Sequence, residues 1–166
     1  LFTGHGADEI FGGYNRAFYD YMFELDQYKN KDLLLNFVNI SQNYLGLTKA
    51  QILKRFKRQN ENLNFNYNYF KFLKTYFKKD YLENFKFLNH PVYSKHERKN
   101  FLKFRLKQHI FKHDLPYTLT IEDKISMNNS IETRVPFLNK QLIESIFNID
   151  SQFFLQNGKN KKILRT

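Results

Sequence analysis

The sequence predicts a mostly α-helical chain with one or few β-strands at its start. Along most of the 166 residues, apolar side chains recur three and four positions apart, the spacing of one face of an amphipathic helix. The first residues differ, because the apolar pair Leu1-Phe2 runs into a glycine-rich turn, a pattern typical of a buried strand end followed by a helix. Hydrophobic residues make up 42% of the chain, which is enough to form a core.

The opening stretch, residues 1–14, contains the first candidate site. It reads LFTGHGADEIFGGY. Glycines at Gly4 and Gly6 permit a positive φ and let a ligand approach the backbone closely. The turn also carries one imidazole and two carboxylates, those of His5, Asp8 and Glu9. The place beyond a strand's carboxyl end and beside a helix N-terminus is where open α/β sheets bind phosphates, although a glycine turn with a solvated acidic helix start fits the pattern equally well.

Helical spacing predicts eight helices after this turn. Gly46 is expected to end the second of them, and Thr48, Asp114 and Asn139 are expected to cap the third, the seventh and the last. The asparagine-rich residues 59–69 fit either a loop or a short edge strand. The predicted helices span residues 17–28, 31–44, 49–58, 69–79, 81–88, 97–112, 114–127 and 140–149.

Composition narrows the classes of function. The 27 Lys and Arg residues against 16 Asp and Glu give a net charge of +11, which favours anionic partners such as a nucleotide, a nucleic acid or a membrane surface. The abundance of Lys, Asn, Phe, Tyr and Ile is also what a coding sequence rich in A and T produces, and this explanation is favoured over a functional basic face. Cysteine is absent, so disulfides and thiolate metal sites are excluded. No run of about 18 apolar residues occurs, and we expect a cytoplasmic protein with no membrane partner.

Residues 114–138 form a second dense stretch. Their helix is expected to present Leu119 and Ile125 to the core. Beyond it, Glu132 and Arg134 stand two positions apart, and in extended backbone such residues share a side. The two side chains could therefore contact the same ligand or form an ion pair with each other.

His109 and His113 are separated by four positions on a predicted helix, a spacing that can hold a metal ion. Asp114 is the only further ligand type nearby, and it is better explained as a helix cap. The sequence therefore favours an incidental histidine pair on a basic helix over a metal site.

Three blocks resemble motifs of glutamine-hydrolysing asparagine synthetases. Residues 4–14 resemble the family's second nucleotide-site motif, roughly Ser-Gly-Glu-Gly-x-Asp-Glu-Leu-Phe-Gly-Gly-Tyr. Residues 122–138, with EDKISM and SIETRVPFL, look like its Asp-Arg-x-Ser-Met and Ser-x-Glu-x-Arg-x-Pro-Phe-Leu-Asp block. Residues 161–165, KKILR, are similar to its Lys-x-x-Leu-Arg motif. The blocks follow the family's order, about 110 and about 20 residues apart, which is more specific than any single block.

The resemblance implies a fold and a reaction. The fold is an α/β domain of the adenine-nucleotide α-hydrolase type. The reaction is that of an ATP-dependent amidotransferase, a ligase that adenylates aspartate and lets glutamine-derived ammonia attack, yielding asparagine, AMP and pyrophosphate. ATP and Mg²⁺ are the implied cofactors, and a glutaminase domain is the implied partner.

The resemblance also implies roles for single residues. Asp8 would hold Mg²⁺ and pyrophosphate, a task suited to a hard oxygen ligand. Lys161 would reach the phosphates and stabilise charge on the leaving pyrophosphate. His5 stands where the family usually has Glu, so it would be a general base or a substrate-positioning group, and aspartate as the substrate is less secure. The remaining implied nucleotide-binding residues are Gly4, Gly6, Glu132 and Arg134.

Two family features are absent from these 166 residues: the Ser-Gly-Gly-x-Asp-Ser loop that grips ATP and the N-terminal cysteine that hydrolyses glutamine. We therefore expect residues 1–166 to be part of a C-terminal synthetase domain that is inactive by itself. A homodimer is compatible with this reading. The alternatives are a related amidotransferase for another carboxylate, a fold that has lost activity, and a basic nucleic-acid-binding module in which the aromatic and lysine side chains of residues 69–79 contact bases and phosphates.

Overall fold

The computed structural model describes residues 1–63 and 93–165, and this part of the chain is mostly helical, as the spacing predicts. Short 3₁₀ turns occur at Pro136–Leu138, Ser151–Phe153, Gln156–Gly158 and Lys162–Leu164. The helices of the described ranges are α1 (Ala7–Phe11), α2 (Arg16–Gln27), α3 (Lys31–Leu45), α4 (Lys49–Leu63), α5 (Lys95–Lys99), α6 (Phe101–Phe111), α7 (Asp114–Asn128) and α8 (Lys140–Asn148).

The predicted strand at the start of the chain is wrong for the described residues, which contain only an isolated parallel bridge between Phe2 and Arg134. The Thr3 amide donates to the Arg134 carbonyl over 3.0 Å, and the Arg134 amide donates to the Leu1 carbonyl over 2.8 Å. So few ladder bonds do not make a strand. The apolar pair is also exposed rather than buried, with 72% of Leu1 and 79% of Phe2 accessible.

The core lies between α2, α3, α4 and α6. Phe18 and Met22 of α2 and Phe37 and Val38 of α3 are all buried, at the three- and four-residue spacing of one helix face. The end of α1 joins the same core. The largest completely enclosed apolar side chains of the described residues include Phe18, Met22, Ile10, Ile52, Leu102 and Phe154.

Local sequence signals place several helix ends correctly. Gly46 ends α3 with a φ of 62°, a left-handed conformation that glycine adopts readily. The Thr48 hydroxyl accepts a hydrogen bond from the Gln51 amide over 3.3 Å at the start of α4. The Asn139 side chain accepts from the Leu142 amide over 3.2 Å and caps α8.

The single helix predicted over residues 97–112 is wrong, because the structure has two helices that meet at Asn100. Ser94 and Glu97 form a reciprocal capping box that starts α5. The buried Glu24 carboxylate of α2 then accepts a hydrogen bond from the Leu102 amide over 3.0 Å, satisfying a free donor in the first turn of α6. A residue 78 positions away therefore stabilises the break.

Two expectations for α7 are also wrong. Asp114 lies within the helix rather than capping it, and its carboxylate accepts from Arg16 Nη2 over 3.0 Å. Ile125 is 61% exposed, so it does not face the core of the described residues. Leu119 does pack against that core as a partly buried side chain.

The remaining expectations concern residues whose structure is only partly described. Residues 59–63 belong to α4, so the proposed edge strand does not start there. The rest of the asparagine-rich segment and the helices predicted at 69–79 and 81–88 lie outside the described residues. In the described ranges, no helix combines the length and apolar character that crossing a membrane requires.

Candidate active site

The three motifs that are distant in sequence meet around α1. Lys161 Nζ lies 2.7 Å from Asp8 Oδ1, which joins the last motif to the first. The middle motif contacts α1 from another direction, since the ring of Phe137 packs edge-on against Phe11 with 6.2 Å between ring centroids. Together with the bridge between Phe2 and Arg134, these contacts bring parts of all three blocks to one location.

Two glycines of the first motif are required by their surroundings. Gly6 has a φ of 89°, and a β-carbon there would collide with the side chain of Leu138. A β-carbon on Gly13 would overlap the carboxylate of Asp8 and the side chain of Lys161. Gly4 differs, because a β-carbon there meets no atom within 4 Å, so open space adjoins the backbone at this position.

A network centred on Asn160 holds the segment that carries Lys161. The Asn160 side chain is buried; it accepts a hydrogen bond from the Tyr44 hydroxyl of α3 and donates one to the carbonyl of Gly13. Lys161 itself has a φ of 51°, an uncommon conformation for a non-glycine residue. The neighbouring contacts therefore fix the backbone from which Lys161 reaches Asp8.

Sequence reasoning did not identify Asn160 or Tyr44 as part of the site. The only available signal was the position of Asn160 directly before the lysine motif. Its partners lie 147 and 116 residues away, at distances over which periodicity carries no information.

His5 is paired with an acidic residue of α7. Its Nε2 lies 3.1 Å from Glu122 Oε2, and the two side chains are 39% and 20% exposed. Glu122 was named only as part of the second block, so this contact is new information from the structure. Glu122 also lines a cavity of about 540 Å³ with an otherwise largely apolar wall, which includes Leu1, Tyr117, Ile121, Ile125 and Ile131.

Glu132 and Arg134 contact each other, which was one of the two outcomes their spacing allowed. Arg134 Nη2 lies 2.6 Å from Glu132 Oε1, and both side chains are 68% exposed. Within the described residues, neither side chain has an ion pair with Asp8, Lys161 or His5. The backbone of this segment, rather than its charged side chains, makes the contact with the first motif.

A sequence model of the family described as asparagine synthase matches residues 1–166, the whole chain. The chain belongs to the asparagine synthase family. Neither the curated proteins nor the solved structures provide a match to it. The family match confirms the resemblance of the three blocks. It also points to a ligase-type enzyme that forms amides at the expense of ATP.

The carboxylate of Asp8 is of the type that could hold the Mg²⁺ implied by the family resemblance. The described residues contain no cluster of three His, Cys, Asp or Glu side chains able to hold a metal by themselves. Mg²⁺ is commonly held by one or two carboxylates together with substrate phosphates rather than by an all-protein cage. A single carboxylate beside a lysine, as at Asp8 and Lys161, is compatible with that arrangement.

Glu9, the other acidic residue of the first motif, has a structural role in this member of the asparagine synthase family. Glu9 is buried, and its Oε1 accepts a hydrogen bond from the Tyr14 hydroxyl over 2.8 Å. Burial and this hydrogen bond raise the pKa of Tyr14 above its ordinary value, so the phenol keeps its proton and remains a donor. Glu9 thereby links α1 to the end of the glycine-rich motif.

His109 of α6 and His113, which lies in the turn between α6 and α7 rather than on the predicted helix, give no support to a metal site. The rings of His109 and His113 are 5.5 Å apart between centroids, and the buried His109 has its Nδ1 3.2 Å from Asp114 Oδ2. Burial, reinforced by the positive charges of Arg16 and Arg105, lowers the pKa of His109 to about 4. His109 is therefore a neutral, enclosed side chain at physiological pH.

Proposed function

We propose that this chain forms the pyrophosphate side of an ATP-dependent, amide-forming active site. In the proposed reaction a substrate carboxylate is adenylated and then attacked by ammonia derived from glutamine, with release of AMP and pyrophosphate. The observation that carries the proposal is the 2.7 Å contact between Asp8 and Lys161, residues that the family resemblance assigns separately to the same phosphate groups. Membership of the asparagine synthase family supports the class of reaction.

The chemistry of the two side chains suits this task. The Lys161 ammonium is a compact donor that would contact phosphate oxygens and stabilise the charge that develops as pyrophosphate leaves. The Asp8 carboxylate would hold Mg²⁺, which neutralises phosphate charge when it is bound. The network of Asn160 and Gly13 would keep the lysine in place for that contact.

We further propose that the remaining parts of the site lie on other segments of an α/β domain, with the ATP-gripping loop and the glutaminase domain outside these 166 residues. The parallel sense of the bridge between Phe2 and Arg134 supports an α/β fold, because parallel pairing is typical of sheets covered by helices. Aspartate is the first candidate substrate. Another carboxylate is the alternative, because His5 stands where the family usually has Glu.

The nucleic-acid-binding alternative depends on the aromatic and lysine side chains of residues 69–79, which lie outside the described residues. No feature of the described ranges favours it over the converging motifs.

The direct test is carboxylate-dependent exchange of labelled pyrophosphate into ATP, measured on the complete protein with aspartate and a panel of other carboxylates. We expect exchange with one of these substrates, and a loss of roughly 100-fold or more in Lys161→Met and Asp8→Asn. Lys140→Met, at an 86% exposed lysine of α8, and Asp26→Asn, at an exposed position of α2, are matched controls that should retain exchange. Absence of exchange with every carboxylate would overturn the proposed function.

A further inference from the structure

The contact between His5 and Glu122 stands apart from the pair formed by Asp8 and Lys161. His5 lies in the glycine-rich turn before α1, whereas Glu122 lies in the middle of α7, so the contact joins the first block to the start of the second. The Glu122 side chain is only 20% exposed, and water therefore competes weakly for its carboxylate. This is an arrangement in which a carboxylate can orient an imidazole.

A carboxylate accepts hydrogen bonds, so its position 3.1 Å from Nε2 favours the tautomer of a neutral His5 that carries the ring proton on Nε2. The lone pair then lies on Nδ1, which becomes the basic atom of the ring. A carboxylate behind an imidazole also stabilises the imidazolium that forms when the ring takes up a proton. With 39% of its side chain exposed, His5 remains accessible to a reacting group.

The surroundings of Glu122 single it out on its helix. Thr118 and Ser126, one turn away on either side, line the same cavity, but their hydroxyls donate to the carbonyls of Asp114 and Asp123. Among the described residues that line the cavity, Glu122 is the one carboxylate, so it is the charged group that this largely apolar wall presents next to His5.

We propose that Glu122 is a positioning residue that holds His5 in the Nε2–H tautomer, so that Nδ1 acts as the general base of the amide-forming step. The attacking nitrogen forms a bond to the acyl carbon of the acyl-adenylate, and Nδ1 takes the proton that this nitrogen loses. The bond between the acyl carbon and the AMP oxygen breaks, and AMP leaves with the electron pair. This proposal rests on the proposed function, because it requires an acyl-adenylate.

The first experiment separates the two half-reactions in the complete protein. Amide formation is measured with ammonia supplied directly, and adenylation is measured as pyrophosphate exchange. Glu122→Gln should lower kcat for amide formation by about 10-fold or more, because the general base loses the carboxylate that orients it, while exchange falls by a much smaller factor. Glu144→Gln, at an exposed glutamate of α8, is the matched control and should change neither rate.

The second variant set tests whether Glu122 acts through His5. His5→Asn should lower amide formation at least as much as Glu122→Gln. The double variant should lose no more than His5→Asn alone, since two residues that act as a unit are not additive. Glu122→Asp, which keeps a carboxylate, should recover part of the lost rate.

The third readout observes the imidazole itself. In protein labelled with ¹⁵N-histidine, the resonances that disappear in His5→Asn report the tautomer of His5. We expect the Nε2–H form in the wild type, a mixture of tautomers in Glu122→Gln, and restoration in Glu122→Asp. A spectrum that Glu122→Gln leaves unchanged, or an equal loss of both half-reactions, would overturn the role of Glu122.

The two proposals fail in different ways. If the wild-type protein shows no exchange with any carboxylate, the proposed function fails and the general-base role fails with it. If exchange is present and Glu122→Gln forms amide at the wild-type rate, only the role of Glu122 is wrong.

Discussion

The Lys161 ammonium and the Asp8 carboxylate are in contact because Gly13 has no side chain. Lys161 Nζ lies 2.7 Å from Asp8 Oδ1, and a β-carbon on Gly13 would overlap atoms of both residues. The carbonyl of the same glycine accepts a hydrogen bond from Asn160, the residue directly before the lysine. Gly13 therefore both leaves room for the ion pair and anchors the segment that supplies its positive partner.

Gly13→Ala should displace the ion pair without requiring an unusual backbone conformation. The added methyl group would force Asp8 and Lys161 apart, so we expect unfolding free energy to fall by about 1–3 kcal/mol and pyrophosphate exchange to fall about 100-fold. Urea denaturation and the exchange assay measure the two effects. Gly4→Ala is the control for stability, because its methyl group meets no atom within 4 Å and should cost less than about 0.5 kcal/mol. Equal stability of the two variants would contradict the role of Gly13.

Local patterns predicted much of the helical structure but few of the contacts in the site. The spacing in α2 and α3 and the caps at Gly46, Thr48 and Asn139 depend on residues within a few positions, and the structure confirms them. The break before α6 was missed because its stabilising carboxylate, on Glu24, comes from a distant part of the chain.

The same limit applies to the candidate site. Asp8, Lys161 and His5 were named because three blocks resemble a family in order, whereas their contacts depend on how distant segments fold together. Asn160 and Tyr44 have partners more than 100 residues away, and Glu122 reaches His5 across most of the chain. For Leu1 and Phe2 the local pattern misled instead. An apolar pair predicted a buried strand end, but both side chains are exposed in the described part of the chain.

Asn160→Ala should disturb Lys161 without removing it. The substitution leaves the partly buried carbonyl of Gly13 and the hydroxyl of Tyr44 without the amide that joins them, which should cost about 1–3 kcal/mol of unfolding free energy. Exchange should fall because Lys161 is less well held. Tyr44→Phe removes one hydrogen bond and should cost less, about 0.5–1.5 kcal/mol. Asn39→Ala, at an exposed position of α3, is the control in both assays. If Asn160→Ala lost no more exchange activity than Asn39→Ala, Asn160 would not position Lys161.

Protonation of Asp20 should contribute to the unfolding free energy at low pH, and this contribution should be lost as the pH rises. Burial raises the pKa of this carboxyl to about 6, despite the opposing charges of Arg105 and Arg16. The folded state therefore holds a proton between about pH 4 and pH 6 that the unfolded state has released, and this contribution to stability is lost as the pH rises through that window. Asp20→Asn should remove the effect, which amounts to up to about 3 kcal/mol.

The measurement for Asp20 is unfolding free energy by urea at several pH values between 4 and 7. The unfolding free energy of the wild type, relative to that of Asp20→Asn, should decrease as the pH rises. Asp26→Asn, at an exposed position of the same helix, is the control. A difference that is independent of pH would show that Asp20 is not held in its protonated form.

His109 should have the opposite effect in nearly the same pH range. Burial, with Arg16 and Arg105 nearby, lowers its pKa to about 4, so the unfolded state binds more protons than the folded state between about pH 4 and pH 6.5. Stability contributed by the neutral ring is therefore present above pH 6.5 and is lost as the pH falls towards 4, by up to about 3 kcal/mol. In the wild type this pH dependence opposes that of Asp20. Between pH 4 and pH 6.5, stability should therefore fall more steeply, or rise less, with rising pH in His109→Asn than in the wild type, whereas His96→Asn, at an exposed histidine of α5, should keep the wild-type profile. Identical profiles for the two variants in urea denaturation would refute this contribution of His109.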